Sequence, residues 1–215
     1  MANNLLLERS KLFAKYAESI PNKADKLELQ LDYPDYGWID MHFKVNDDEK
    51  ILISASDVYE PFEDIREWLE EIVKHIFDFT PTGVKIYDEV DDYLLYYEPF
   101  FFHSDELLTN NPPLLDGLFY IYDSSEKEIV ANAVCETNSI VRSLYESISN
   151  FAKESSEREE FVDDWIWQAY NQDLSDYKDV DDPAIRNIFI QKVTSPVIEQ
   201  FLSDEYSTIR FRPIK

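Results

Sequence analysis

The chain has 215 residues, with 45 Asp and Glu against 20 Lys and Arg, a formal net charge of −25. That surplus excludes a free-standing nucleic-acid binder, because affinity for a phosphate backbone comes from Lys and Arg that displace condensed counterions. It also argues against an anionic membrane surface, while 44% apolar and 15% aromatic residues supply a packed core, so the acidity does not imply disorder.

Residues 4–19 place Leu5, Leu12, Phe13 and Tyr16 at helical spacing, with Ile20 just beyond, and Pro21-Asn22 ends the run. Three period-two segments follow. Leu27, Leu29, Leu31 and Tyr33 alternate with polar residues, as do Ile39, Met41, Phe43 and Val45. Ile51 and Ile53 come after the polar turn 46–50. This pattern predicts an antiparallel meander with one wet face.

Phe62, Ile65, Trp68, Leu69, Ile72, Val73 and Ile76 keep a three-and-four spacing that predicts a helix over 61–77, with Pro61 in its first turn. A second sheet region covers 84–88, 93–102, 118–122 and 128–134, closed by a helix over 138–153. The two halves echo each other as ββ-plus-helix units, an arrangement that would give one continuous sheet with both helices on one face.

Ser156 and Glu159 read as a capping box opening a helix through Phe161, Val162, Trp165, Ile166, Ala169 and Tyr170. Asp182-Pro183 opens another, interrupted before Pro196, and Ile209 with Phe211 predicts a short closing strand. The fold class expected is α+β: an antiparallel sheet of about seven strands with helices packed on it and a C-terminal helical segment. The organisation is a sheet domain over 1–153 with a helical extension over 154–215, or one unit over 1–215.

Chemistry is sparsely signalled. Gly37, Gly83 and Gly117 are the only glycines, each read as sitting where a turn precedes a strand, so neither a P-loop nor a dinucleotide fingerprint can form. His42, His75 and His103 stand far apart and form no zinc pattern, and the acids at 176–182 lack the calcium-loop glycine. Cys135, the lone cysteine, excludes a disulfide framework and suits a reducing compartment. The longest uncharged run, 107–115, has nine residues, against about 18 for a membrane span. Leu5-Leu6-Leu7 runs straight into Glu8 and Arg9, unlike a secretory signal. The expectation is a cytoplasmic protein without cofactor, metal or catalytic residue.

Carboxylates cluster instead. Residues 154–182 carry eleven acids against Arg158 and Lys178, and the helix over 61–77 carries a further set on its outward side. Such a surface repels itself, and a basic partner would offset that repulsion. The segment 93–102 is apolar on both faces. It is either a tyrosine-rich surface for a partner or a central strand covered on both sides. The partner-binding residues expected are Glu60, Glu63, Asp64, Glu67, Glu71, Tyr96, Tyr97, Asp163, Asp164 and Trp167.

The stretch Asp57-Val58-Tyr59-Glu60-Pro61-Phe62-Glu63-Asp64-Ile65-Arg66-Glu67-Trp68-Leu69-Glu70, with strands on either side, resembles small acidic α+β bacterial proteins of the toxin-immunity type. The resemblance implies an inhibitor that binds a basic toxin, often a nuclease, without doing chemistry. Two other readings stay open: a DNA mimic that occupies a nuclease or defence protein, and a carboxylate-dependent hydrolase.

Overall fold

Strand alternation decides which residues face inward, and the computed structural model, which describes residues 2–18, 24–75, 80–88, 91–100, 116–170 and 183–203, follows it closely. Strands β1 (Leu27–Leu31), β2 (Trp38–Val45) and β3 (Asp48–Ser56) pair antiparallel in that order. Ile39, Met41, Phe43 and Val45 are buried, while Asp40, His42 and Lys44 reach solvent from the other face. Asn46 and Asp47, at φ 55° and 67°, close the β2–β3 hairpin in the two-residue form that favours Asn and Asp.

The second sheet runs β4 (Thr82–Tyr87), β5 (Asp92–Phe100), β6 (Asp116–Asp123) and β7 (Glu128–Glu136), again antiparallel and in sequence order. Two sheets therefore replace the single continuous sheet expected, because period-two patterning names inward faces and not neighbouring strands. Asp25 joins them. Its N–H donates to the Val134 carbonyl at 2.6 Å, and its carboxylate accepts from the Val134 N–H at 2.9 Å and from Asn46 Nδ2 at 2.7 Å.

Helix α2 (Phe62–Lys74) buries Phe62, Ile65, Trp68, Leu69 and Ile72, each worth roughly 1.5–3 kcal/mol when fully buried. Trp68 Nε1 donates to Thr82 Oγ1 at 3.1 Å, fastening α2 to β4. Helix α3 (Thr137–Ser155) lies along β1, where Ser147 Oγ donates to the Leu29 carbonyl at 2.7 Å.

The capping box at Ser156 does not form. Helix α3 runs on to Ser155, so Ser156 is its C-cap, and Arg158 precedes the next helical turn without a side-chain cap. The single helix expected there is instead α4 (Glu159–Phe161), a π-helical stretch Val162–Ile166 and α5 (Trp167–Ala169). Helices α6 (Pro183–Val193) and α7 (Pro196–Ser203) follow. Rings from these helices meet the sheet-side core: Phe62 to Phe189 is 5.5 Å, Phe62 to Trp165 is 5.9 Å and Phe151 to Phe161 is 5.7 Å. One apolar interior thus runs from β1 to α7.

Helix α1 (Ala2–Glu18) covers the opposite face of the second sheet, with Leu12 against Leu118, Tyr120 and Val134. Tyr16 donates to Asn132 Oδ1 at 2.7 Å. Arg9 grips Glu98 with both forks of its guanidinium, at 2.5 and 2.7 Å. No helix among the described residues is long and apolar enough to cross a membrane. Ile76, Phe101, Phe102, His103, the acids at 173–182 and the strand expected at Ile209 and Phe211 lie outside the described residues.

Candidate functional site

The hairpin Asp35-Tyr36-Gly37-Trp38 closes with both central residues at positive φ, 50° at Tyr36 and 81° at Gly37. A tyrosine at such a position is uncommon, and Tyr36 is 93% exposed at the tip. The Gly37 carbonyl accepts the Asp57 N–H at 2.9 Å, which places this tip beside the 3-10 turn Asp57–Tyr59. Val58 and Tyr59 stand out from that turn, 72% and 50% exposed.

Pro61 then confines Glu60 to extended backbone, at φ −48° and ψ 115°, and ends the turn. Pro61 holds the N-cap position of α2 with no side-chain acceptor. The Glu60 carboxylate supplies one, accepting the Phe62 N–H at 2.5 Å. Glu60 therefore serves as the cap of α2 from one residue upstream.

These residues border a cleft of about 640 Å³ between the start of α2, α5 and α6. Asp57, Tyr59, Glu60, Glu63 and Asp64 form one wall; Tyr87 of β4, Tyr170 and Lys192 of α6 contribute the others. Tyr59 and Tyr87 meet with ring centroids 5.7 Å apart. Burial pushes the Glu60 carboxyl up to about 7; the Phe62 N–H and Tyr170 pull against it, while Glu63 and Asp64 add to it. Asp57 and Asp64 are also raised, again chiefly by burial.

The acids expected to bind a partner divide in two. Glu63 pairs with Lys192 at 2.9 Å and Arg66 at 3.6 Å, Glu67 with Arg66 at 3.0 Å, and Glu71 with Lys74 and His75, each at 3.2 Å. Glu67 and Glu71 form an exposed, internally neutralised stripe farther along α2. Asp57, Glu60 and Asp64 have no ion pair among the described residues. Asp57 and Glu60 are drawn partly out of water without a counter-cation, and Asp64 stands exposed beside them, an arrangement that a positive guest would relieve.

Tyr97 leaves the partner-facing set. It is 1% exposed and its hydroxyl bonds Thr137 Oγ1. Tyr96 lies on the other face of β5, half-buried against Tyr120 with centroids 5.2 Å apart. Strand β5 is central and covered on both faces, which accounts for its unbroken apolar run. Asp163 and Asp164 are exposed on the π-helical stretch. The backbone of Trp167 enters α5 beside the cleft, and its side chain lies outside the described residues. Asp57, Val58, Tyr59, Tyr87, Tyr170 and Lys192 are not among the partner-binding residues expected from sequence, since isolated residues on separate elements carry no spacing signal.

Among the described residues no group of His, Cys, Asp and Glu could hold a metal ion. His42 bridges Glu49 at 2.7 Å and Asp32 at 3.2 Å on the wet face of the first sheet, and Cys135 is buried.

Glu60 has a measurable signature in stability. Its carboxyl holds a proton more tightly in the folded chain than at the ordinary value of 4.5, so the folded state binds more protons between pH 4.5 and about 7. Stability contributed by this group is therefore intact below pH 4.5 and falls as pH rises to 7, by up to about 3 kcal/mol. Glu60→Gln keeps an acceptor for the Phe62 N–H. The variant is expected to match the wild type near pH 4 and to exceed it by up to about 3 kcal/mol at pH 8 in urea unfolding. Equal stabilities at both pH values would contradict the burial of this carboxyl.

No family model, curated protein or solved structure matches the chain.

Proposed function

We propose that the protein is an acidic binding protein of the immunity type, which docks on a basic protein and blocks it. The observation that carries this reading is the cleft at the start of α2, where Asp57, Glu60 and Asp64 lack a cation among the described residues and stand beside the exposed rings of Tyr59 and Tyr87. Tyrosines are favoured interface anchors, and flanking carboxylates steer a cationic partner and raise its association rate. The formal charge of −25 extends the steering field over the whole molecule.

The test is affinity capture from the native cell at about 50 mM salt, where screening reaches about 14 Å, followed by a wash at about 500 mM, where it shortens to about 4 Å. The protein retained at low salt is expected to be basic and to leave at high salt. Retention unaffected by salt would remove charge as the driver. Competition between the captured protein and DNA for the same surface would favour the DNA-mimic reading instead.

A hydrolase reading is favoured by one observation, the Glu60 carboxyl held at about 7 within a cleft, as suits a general acid. It requires turnover that Glu60→Gln abolishes while partner binding persists.

A further inference from the structure

We propose that the aromatic cleft at the start of α2 receives an arginine side chain of the partner, stacked on tyrosine and held by the carboxylates of Asp57, Glu60 and Asp64. The inference rests on the basic-partner reading and deepens it by naming the contact.

Three features select the guest. The cleft, at about 640 Å³, is open to solvent and has room for a guanidinium group and its alkyl stem. Its own walls already hold cations in the manner a guest would be held. Lys85 Nζ stands 4.0 Å from the centroid of the Tyr87 ring, and Lys192 Nζ lies 5.9 Å from that of Tyr170 while pairing with Glu63 at 2.9 Å. Those two lysines answer Asp92 and Glu63, and leave Asp57, Glu60 and Asp64 without a cation among the described residues.

Arginine fits this arrangement better than lysine. Its guanidinium is planar, so it stacks on a tyrosine face while its five N–H donors reach carboxylates at the rim. It is also less strongly hydrated than an ammonium, so it loses less on entering a cleft that already draws carboxylates out of water. The exposed Tyr36, Val58 and Tyr59 next to the opening would cover the apolar part of the guest and the chain that carries it.

The test uses the full chain and two probes, hexa-arginine and hexalysine peptides, titrated calorimetrically at about 50 mM salt. Tyr59→Ala and Asp64→Asn alter the cleft, and both positions are surface-exposed, so the fold is expected to hold; matching thermal transitions check this. Glu126→Gln, in the exposed turn between β6 and β7, is the control for general charge. Hexa-arginine is expected to bind more tightly than hexalysine. Tyr59→Ala and Asp64→Asn should each weaken it about 5- to 10-fold, a loss in the range of one cation–π or charge contact, and Glu126→Gln should change it less than about 2-fold.

If hexa-arginine binds but both cleft variants bind as the wild type does, the cleft assignment is overturned while the basic-partner reading stands. If the variants lose affinity but the two peptides bind equally, the preference for arginine is overturned. If neither peptide binds at low salt, both fall.

Discussion

Replacing Arg9 by alanine is expected to destabilise the protein by about 3–5 kcal/mol, the range for leaving a buried charge without its partner. The side chain of Glu98 is only 6% exposed, on the face of β5 that α1 covers. Both its oxygens are taken by the Arg9 fork, and Tyr120 adds its hydroxyl at 2.9 Å. Arg9 itself is 38% exposed, so nearly all the cost falls on the stranded carboxylate. Arg9 also lies over the Phe13 ring at 5.1 Å, and lost stacking adds a smaller share. The two contributions separate by a second change. Adding Glu98→Gln to Arg9→Ala removes the buried charge and should recover most of the loss, whereas stacking would not return. Arg9→Lys should recover little, because an ammonium cannot make the paired contact. Urea unfolding at pH 7 measures all four proteins. A loss below about 1 kcal/mol for Arg9→Ala would mean that Glu98 finds water, and that α1 is held by its apolar side alone.

Gly117→Ala is expected to cost about 1.5–4.5 kcal/mol although it adds one methyl group. Gly117 lies in β6 opposite Pro99 of β5 and Cys135 of β7, and a Cβ there would overlap the ring and hydroxyl of Tyr97. That ring cannot yield easily, being 1% exposed and hydrogen-bonded to Thr137, the first residue of α3. Overpacking of about 1–3 kcal/mol and loss of a hydrogen bond worth about 0.5–1.5 kcal/mol add to the stated range. Gly117→Ala combined with Tyr97→Leu should be more stable than Gly117→Ala alone, since the smaller side chain makes room for the methyl group. A wild-type midpoint for Gly117→Ala would contradict the close approach. Gly83 and Gly117 are each the second residue of a strand, facing a tyrosine of β5, and Gly37 lies in a turn at positive φ.

Periodicity made the elements legible. The alternation at Ile39, Met41, Phe43 and Val45, and the helical spacing through Phe62, Trp68 and Ile72, placed the inward faces correctly because burial is what selects those residues. Adjacency within each sheet followed sequence order, as the meander pattern implied, but the division into two sheets was not legible, since it depends on links such as Asp25 to Val134, which join residues more than a hundred positions apart. The capping-box motif at Ser156 failed for a related reason. Phe151 and Ala152 keep α3 packed on the core through that point, and tertiary burial outweighed the local signal.

The candidate site was half visible. Glu60 and Asp64 stood out as part of an acidic helix, but nothing in sequence distinguished them from Glu63, Glu67 and Glu71. The distinction comes from Lys192, Arg66 and Lys74, which neutralise some acids and leave others. Tyr96 and Tyr97 drew attention because an apolar run on both faces fits an interface as well as a central strand. The cover supplied by α1 decides between them.

The proposed cation site is the cleft where the Glu60 carboxyl, pushed up to about 7, faces Asp57, Tyr59, Glu63, Asp64, Tyr87, Tyr170 and Lys192. The most direct measurement is proton release on binding hexa-arginine at pH 7, from calorimetry in two buffers of different ionisation enthalpy. A cation beside Glu60 lowers its proton affinity, so about half a proton should leave the wild type and almost none should leave Glu60→Gln. Binding with no proton release, or with equal release from the two proteins, would contradict the claim that the guest sits on this carboxyl.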